Sequence, residues 1–485
     1  MDKGKNSILG GLVWSFAERI SAQLVSTVVG IILARLLLPE DYGLIAIVMV
    51  FISLCDVFVT SGLGSALVQK KNADSDDYNT AFVLSGILAI VLYFILFVSA
   101  PYIAQAYEMS LLCPVLRVLG LRLLITSYNT IQQSYIRRNM EFRRFFVVTI
   151  WGTIISGVIG VLMAIAGFGV WSLVAQYLVS SIVTTLLTYR VCSWRPQMRF
   201  SRSRAHNIWR FGWKVLCTNL VSTLEGDLRS LIVGKTFGSA ELAFFDQGKK
   251  YPALLISNVN STLNRVMLPT FARLQDDLPR LKETLRKAIR LGTYIIAPFM
   301  VGLFAVSDTF VRILLTEKWL DIVPFLQIFC VIYITRPLEE MCHQAVIALG
   351  RSDISLRIMI LINATALATV LLAVFVFHSV LYMALLSLVN ALVSVVCFLG
   401  ATNRLVGYRI DEQMKDVIPS LMIAVVMGGL VQLVSFIRVS LGLGFVLQIV
   451  VGVFSYIVMS MVQKNDSFMY LKNKLLHVIM RNKRV

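Results

Sequence analysis

Long apolar runs alternate with short polar segments along the whole chain, and the Pro39-Glu40-Asp41-Tyr42-Gly43 segment separates two of them. About 20 apolar residues form a helix that crosses roughly 30 Å of hydrocarbon. An all-α polytopic membrane protein is therefore predicted, because a β-barrel would alternate polarity in segments of about ten residues. The predicted spans number fourteen: 9–34, 44–66, 80–104, 112–136, 145–166, 169–189, 208–233, 241–268, 291–315, 322–348, 355–377, 379–401, 416–437 and 441–463.

Composition supports this class. The 485 residues are 57% hydrophobic and 15% charged, with a mean hydropathy of +0.78, which is unlike a soluble globular protein. The net charge of +18 would suggest nucleic-acid binding in a soluble protein. Here the placement of the charge decides otherwise, because a cytoplasmic N-terminus puts most Lys and Arg residues in cytoplasmic segments. The opposite loops hold Arg35, Lys235, Lys318 and Arg438. This asymmetry predicts cytoplasmic termini and contact with anionic membrane lipids, with no nucleic-acid partner.

The N-terminus and the cysteines fit the same class. Lys3 and Lys5 before an apolar run resemble a signal peptide, but Glu18 and Arg19 interrupt that run. A retained first helix is therefore predicted. The seven cysteines form no CxxC pair and fall mostly inside spans, so we interpret them as small packing residues rather than disulfide partners.

The two halves of the chain show a weak internal repeat. Residues 34–45 align with 234–245, and 61–68 with 261–268, at an offset of 200. Residues from 169 align with those from 379 at an offset of 210. Spans 1–6 and 7–12 are therefore predicted to be parallel repeats, related by an axis along the membrane normal. The predicted organisation is an N-lobe (1–190), a cytoplasmic linker (191–207), a C-lobe (208–403), spans 13–14 (404–463) and an amphipathic basic tail (464–485).

Four motifs carry a resemblance to a known family: LARLLLPEDYGLIAI, GLGSALVQKK, GFGVWSLVAQYLV and RFGWKV. The chain resembles the polysaccharide exporters, Wzx-type oligosaccharide-lipid flippases of the colanic and teichuronic acid export branch. That family belongs to the MOP superfamily, beside the multidrug/cation antiporters and the lipid II flippase. The resemblance implies a V-shaped pair of six-helix lobes in the bacterial inner membrane. It also implies a cargo, polyprenyl-diphosphate-linked oligosaccharide, that is carried to the outer leaflet.

Polar residues inside the predicted spans suggest where the cargo binds. Intramembrane charge costs about 2.5–3.5 kcal/mol on insertion scales, so each case indicates a cavity or a partner. Spans 1, 7 and 8 have polar stripes at helical spacing, and guanidinium groups suit phosphate oxygens. We expect Arg19, Arg122, Arg229 and Arg336 to point between the lobes. The predicted substrate-binding residues are Arg19, Gln23, Arg122, Arg229, Asn258, Arg265 and Arg336.

Several of these charges also have a structural interpretation. Arg265 and Lys214 can extend to the membrane surface. The pairs Glu18–Arg19, Glu225–Arg229 and Arg336 with Glu339 or Glu340 can be ion pairs that brace helices. The carboxylates Asp56, Glu225, Asp227 and Asp246 are candidates for coupling to a proton or sodium gradient. Three prolines can break helices where transport needs bending, or can cause ordinary packing kinks. They are Pro252, Pro298 and Pro337.

Two basic segments, 272–290 and the tail, have apolar residues along one helical face. We interpret both as helices in the lipid interface, with binding to a partner protein as the alternative.

No nucleotide-binding, metal-binding or nucleophile motif is found in the sequence, and no cofactor is expected. The predicted function is a flippase driven by an H⁺ or Na⁺ gradient, with polysaccharide polymerase or export machinery as further partners. A multidrug/cation antiporter is one alternative, although its cationic cargo would favour an acidic cavity. A membrane glycosyltransferase or polymerase is the other, although such enzymes usually need an extramembrane domain.

Overall fold

A computed structural model describes residues 21–70, 73–139, 142–437 and 439–473. The regular secondary structure within these ranges is entirely helical. The helices are α1 (21–36), α2 (Pro39–Gln69), α3 (Ser75–Tyr107), α4 (Leu112–Arg138), α5 (Phe142–Ile165), α6 (Val170–Val191), α7 (Arg202–Thr236), α8 (Ser239–Arg273), α9 (Leu278–Ala305), α10 (Ser307–Leu314), α11 (Ile322–Ile334), α12 (Arg336–Ala348), α13 (Ser352–Leu372), α14 (Val380–Val406), α15 (Ile410–Val434) and α16 (Leu441–Val462). Short 3₁₀ (Glu317–Trp319) and π (Ala373–Phe377) segments and a helix that starts at residue 466 complete the list.

Within the described residues, each predicted span corresponds to one of these helices or to two consecutive ones. Ten segments of the described chain are long and apolar enough to cross a membrane. Helix α1 is described from Ser21 as a shorter apolar helix, and α4, α7 and α8 fall outside the set of ten. The all-α polytopic fold is confirmed.

Two tight junctions separate helices that the apolar pattern nearly fuses. Gly167 and Gly169, with φ of 82° and 55°, separate α5 from α6. His378, with φ of 47°, separates the π segment after α13 from α14. Left-handed φ values stop a helix, and glycine adopts them without the penalty of a side chain.

One predicted span is divided at a proline. Helix α11 ends at Ile334, and α12 begins at Arg336 with Pro337 in its first turn. Proline lacks the amide donor that a continuous helix needs, but it is tolerated in a first turn. Pro252 and Pro298 instead lie inside the continuous helices α8 and α9, so a proline in this sequence does not by itself predict a break.

The chain forms two compact units, residues 1–243 and 244–485. In the first unit, α7 packs along α2 and also contacts α3. A core cluster there includes Leu63, Leu67, Tyr78 and Trp194. Helix α7, which the repeat assigns to the second half of the sequence, therefore packs as part of the first unit. The predicted lobe boundaries concern sequence symmetry rather than packing, and they stay a prediction.

The second unit corrects the interpretation of the two amphipathic segments. Leu281, Leu285 and Ile289 lie on α9, are fully buried, and join a core cluster with residues of α12 and α14. In the tail, Phe468 and Leu471 pack against a cluster around Tyr294 and Met427. The prediction of a lipid-interface helix is wrong at Leu281, Leu285 and Ile289, because neighbouring helices cover them. Phe468 and Leu471 are half-buried, and the placement of the tail in the lipid interface stays a prediction. Positions 475 and 479 of the tail lie outside the described residues.

Helix boundaries recur at the offsets that the sequence repeat predicts. Helix α1 ends at 36 and α7 at 236, while α2 begins at 39 and α8 at 239. Helix α6 begins at 170 and α14 at 380. Equivalent turns therefore lie at equivalent positions of the two sequence halves.

Candidate functional site

An arginine and a carboxylate meet among the helices of the first unit. Arg122 of α4 places Nη2 3.8 Å from Oδ2 of Asp56 on α2. Thr126, one turn beyond Arg122, donates from Oγ1 to Asp56 Oδ1 over 3.3 Å. The two charged side chains are 24% and 20% exposed. The pair is therefore loosely held and partly accessible.

Helix α4 continues this polar face. Asn129 donates from Nδ2 to Thr185 Oγ1 on α6 over 2.9 Å, and Gln133 donates from Nε2 to Asn129 Oδ1 over 3.2 Å. Together with Arg122 and Thr126, these residues recur at the spacing of one helix face. We call Arg122, Thr126, Asn129 and Gln133 the α4 polar face. The sequence analysis missed this stripe, although its spacing is as regular as that of the stripes in spans 1, 7 and 8.

The C-terminal half of α7 is hydrogen-bonded to α2 and α3 of the first unit. Ser53 of α2 donates to Oδ2 of Asp227 over 2.5 Å. The Tyr107 hydroxyl donates to the Leu231 carbonyl over 3.1 Å, and Lys235 donates to the carbonyl of Ala106. These bonds join α7 to α2 and to the C-terminal end of α3. Asp227, which the sequence suggests for ion coupling, is engaged in this contact.

The Pro39–Gly43 segment forms the start of α2, directly after the break between α1 and α2. Glu40 and Asp41 occupy the first turn of α2, where acids are favourable beside the helix dipole. Asp41 Oδ2 accepts a bond from Leu38 N at 3.2 Å. A Cβ on Gly43 would lie 1.7 Å from the Ser239 carbonyl oxygen. Glycine is therefore required where this turn approaches the equivalent turn between α7 and α8.

The N-terminal end of α7 is attached by a separate ionic cluster. Arg204 pairs with Asp74 and also lies 3.4 Å from Asp77, at the start of α3. The bond from Arg204 holds the pKa of the Asp74 carboxyl well below its ordinary value. The preceding linker donates from Gln197 N to Asn79 Oδ1 over 2.9 Å and from Ser201 N to Thr80 Oγ1 over 3.3 Å. We call this attachment of residues 194–204 to the start of α3 the linker clasp.

The other predicted site residues divide between the units. On α1, Gln23 Nε2 lies 3.5 Å from Thr27 Oγ1. Arg229 is half-buried on α7, and Asp246 is half-buried on α8. Arg336 donates to Glu339 over 3.1 Å within α12, as the helix-bracing alternative anticipates. Arg19 lies outside the described residues, as do the side chains of Glu225, Asn258 and Arg265.

The second unit contains a buried carboxylate that the sequence analysis did not identify. Asp416 of α15 is 1% exposed. It accepts bonds from Arg286 at 2.7 and 3.0 Å, from Arg290 at 2.7 Å, and from the Tyr408 hydroxyl at 2.6 Å. Arg290 also bonds Asp466 at 2.8 Å. We call these five residues the Asp416 cluster, and it joins α9 and α15 to the start of the tail helix.

The same unit has an apolar cavity of about 490 Å³ between α9, α11 and α15. Val301, Phe304, Val331, Val425 and the adjacent Gly428 and Gly429 are among its lining residues. Such a surface suits a hydrocarbon chain and offers little to a sugar. Among the described residues, no group of three His, Cys, Asp or Glu side chains could hold a metal ion.

The chain matches a known protein family. The sequence profile of a family described as "Polysaccharide biosynthesis protein" matches residues 32–324. The chain belongs to this family. The match begins in α1 and ends in α11, so it includes the Asp56–Arg122 pair, the α4 polar face and the linker clasp.

Curated relatives carry compatible names. The succinoglycan biosynthesis transport protein ExoT of Rhizobium meliloti is 25% identical over 63% of this chain. The lipopolysaccharide biosynthesis protein WzxC of Escherichia coli is 24% identical over 73%, and the teichuronic acid biosynthesis protein TuaB of Bacillus subtilis is 23% identical over 72%. The alignment spans 62% of ExoT, a little under two thirds of its length, and 72% of each of the other two.

Solved structures establish the fold. A structure titled "Lipid II flippase MurJ, inward closed conformation" matches with a TM-score of 0.74 at 14% identity, over 94% of this chain and 99% of that one. An inward-facing multidrug resistance MATE family transporter matches with a TM-score of 0.61 at 17% identity, over 79% of this chain and 95% of that one. The chain therefore has the fold of the MOP superfamily. The resemblance to the polysaccharide exporters inferred from sequence is confirmed by the family match, and the resemblance to that superfamily is confirmed as a likeness of fold.

Proposed function

We propose that this protein is a flippase that carries a polyprenyl-diphosphate-linked oligosaccharide across the bacterial cytoplasmic membrane during polysaccharide assembly. Membership of a polysaccharide biosynthesis family, in a chain with a membrane transporter fold, is the observation that carries this proposal. The name of ExoT as a transport protein supports a transporter rather than an enzyme. The names of the three relatives favour a glycan cargo over the organic cations of an antiporter.

The Asp56–Arg122 pair suggests how cargo and driving ion are coupled. A guanidinium binds phosphate oxygens through a planar fork of donors. Because Arg122 and Asp56 are 3.8 Å apart rather than in close contact, a diphosphate can replace Asp56 as the partner of Arg122. Asp56 would then take up a proton or a sodium ion, since an unpaired carboxylate among membrane helices is costly. Arg229 and Arg336 remain candidates for further phosphate contacts.

The hydrocarbon tail needs no polar contact. It can remain in the lipid or lie in the apolar cavity of the second unit, which is large enough for several isoprene units. The orientation that we propose, with both termini in the cytoplasm, rests on the distribution of Lys and Arg. Reporter fusions at Glu40, Asp74 and Asn482 should then read outside, inside and inside.

The decisive experiment deletes the encoding gene and analyses lipid extracts by mass spectrometry. Polyprenyl-diphosphate-linked oligosaccharide should accumulate in the deletion strain, and a plasmid copy of the gene should remove it. The lipid-linked pool should be found on the cytoplasmic face, where externally added glycosidase cannot reach it. Normal lipid-linked pools together with normal surface polysaccharide would overturn the proposal.

A further inference from the structure

The first half of α7 exposes two tryptophans and two cations on one side. Trp209 and Trp213 are 42% and 45% exposed, and Arg210 and Lys214 are also exposed. Residues four apart on a helix are neighbours, so the tryptophans form one column and the cations form a second beside it. We call Trp209, Arg210, Trp213 and Lys214 the tryptophan face.

Buried residues beside the tryptophan column fix this face in orientation. Ile208 and Leu216 are 4% and 6% exposed, and Ile208 joins the core cluster that contains Trp194. The linker clasp holds the same end of α7 through Arg204. Trp209 and Trp213 therefore border the packed side of α7, one turn before the buried Leu216, while Arg210 and Lys214 lie on the side away from it. The rigid backing reduces the ordering cost of binding a ligand.

A comparison with α5 separates this face from a lipid-facing surface. Trp151 of α5 is 52% exposed, and Val147 and Val158 on the same helix are 39% and 53% exposed. Helix α5 provides one of the ten segments apolar enough to cross a membrane, whereas the sequence of α7 carries charges along its length, among them Arg210, Lys214, Asp227 and Arg229. One turn beyond the tryptophan face, α7 exposes Cys217 and Thr218. An exposed surface this polar on a helix this long is suited to a water-filled space.

We infer that the tryptophan face binds the sugar-diphosphate headgroup of the cargo, a site that rests on the proposed function and gives it a location. The face of an indole ring carries negative charge density, which attracts the weakly positive C–H groups on the flat side of a pyranose. Arg210 and Lys214 lie beside the rings to contact phosphate oxygens. Aromatic surface and cations in adjacent columns match a ligand in which sugar and diphosphate are covalently adjacent.

Cys217 provides a native reporter for this site. Of the seven cysteines, Cys217 is exposed, and the other six are buried or half-buried. The full-length protein is reconstituted into vesicles and treated with a membrane-impermeant maleimide. The reagent should label Cys217 in those molecules in which the N-terminal end of α7 lies on the side of the membrane that holds the reagent. The Cys217→Ser variant should lose this labelling. Farnesyl-diphosphate-linked disaccharide should slow the labelling, and inorganic pyrophosphate or free disaccharide alone should slow it less.

The variants compare two exposed tryptophans. Trp213→Ala should weaken binding of the farnesyl-linked probe by roughly five- to tenfold, and Trp213→Phe should restore part of the affinity because a ring remains. Trp151→Ala on α5 should leave the affinity unchanged. Arg210→Gln and Lys214→Gln should weaken binding of both the probe and pyrophosphate, whereas Trp213→Ala should affect the probe more than pyrophosphate.

Three results would overturn the inference. Cys217 that reacts in detergent but not in vesicles, with reagent on both sides, would show that this side of α7 lies against lipid. Equal effects of Trp213→Ala and Trp151→Ala would show a general membrane-anchoring role. A strain that carries Trp209→Ala and Trp213→Ala and exports polysaccharide normally, beside a deletion strain that accumulates the lipid-linked sugar, would refute this site and leave the flippase function standing.

Discussion

The Asp56–Arg122 pair and the Asp416 cluster combine the same two side-chain types in different ways. Asp416 is 1% exposed and is bonded by two arginines and a tyrosine. Asp56 is 20% exposed, lies 3.8 Å from one arginine, and has one threonine donor. A saturated buried carboxylate can exchange no partner without a large penalty. A loosely paired carboxylate can exchange its partner. We therefore expect the Asp416 cluster to brace its helices and the Asp56–Arg122 pair to exchange ligands.

The largest effect is expected from Asp416→Asn. The substitution leaves Arg286 and Arg290 without their shared anion, and loss of one partner of a buried ion pair costs about 3–5 kcal/mol. The thermal midpoint of the purified protein, followed by size-exclusion fluorescence, should fall by many degrees, and membrane levels should fall with it. Asp353→Asn is the matched control, because Asp353 pairs with Arg351 at 3.0 Å with both side chains about half exposed. A midpoint as little changed as that of the control would show that the cluster is not a brace.

Substitution at the Asp56–Arg122 pair should show the reverse of Asp416→Asn, a large loss of export with little loss of stability. Arg122→Gln should lower export roughly tenfold or more at matched protein level, because a charge-assisted bond to phosphate is lost. The thermal midpoint should change little, and Arg122→Lys should keep part of the activity. Arg117→Gln on the same helix is the control, since Arg117 stacks on Phe97 at 4.2 Å and lies outside the α4 polar face.

Asp56→Asn tests the coupling half of the same hypothesis. It leaves Arg122 free for phosphate and removes the group that would take up the ion, so export should lose its dependence on the ion gradient. Export by Arg122→Gln at the wild-type rate would refute the phosphate contact. Gradient-dependent export by Asp56→Asn would refute the coupling role alone.

The sequence predicted what apolar periodicity and turn chemistry determine. Within the described residues the predicted apolar runs correspond to the observed helices. The break between the first two spans lies at Leu37–Leu38, and the Pro39–Gly43 segment, expected to separate them, begins α2. The burial of Asp416 could not be predicted in this way. A carboxylate near the end of an apolar run is typical of a solvated helix end, and its two arginine partners are more than 100 residues away in the sequence. Leu281, Leu285 and Ile289 misled for a related reason, because an apolar stripe does not reveal whether lipid or another helix covers it.

The site residues show the same limit. Arg122 and Asp56 were each predicted to be functional, but in separate roles, and their pairing depends on how α2 packs against α4. The linker was predicted as an Arg-rich connection. Its attachment depends on single bonds from Gln197 and Ser201 to Asn79 and Thr80. Such bonds leave no periodic signal in a sequence.

The smallest effect is expected at the linker clasp, which adds an exposed ion pair to the comparison. Arg204 is 33% and Asp74 55% exposed in their side chains, and exposed pairs contribute little to stability. The buried Asp77, 3.4 Å from Arg204, keeps Lys70 as a partner at 2.5 Å when Arg204 is replaced. Arg204→Gln should therefore lower the thermal midpoint by less than about 2 °C.

Because the folded-state pKa of Asp74 is lowered, the contribution of the pair is complete above the ordinary Asp pKa of about 3.9. It is lost as the pH falls through the lowered value, so the difference between Arg204→Gln and wild type should be constant from neutral to mildly acidic pH. Arg202→Gln, an exposed neighbour on α7, is the control for charge. A loss of stability from Arg204→Gln as large as that from Asp416→Asn would mean that the clasp braces α7, and exposure would then not distinguish exchangeable pairs from structural ones.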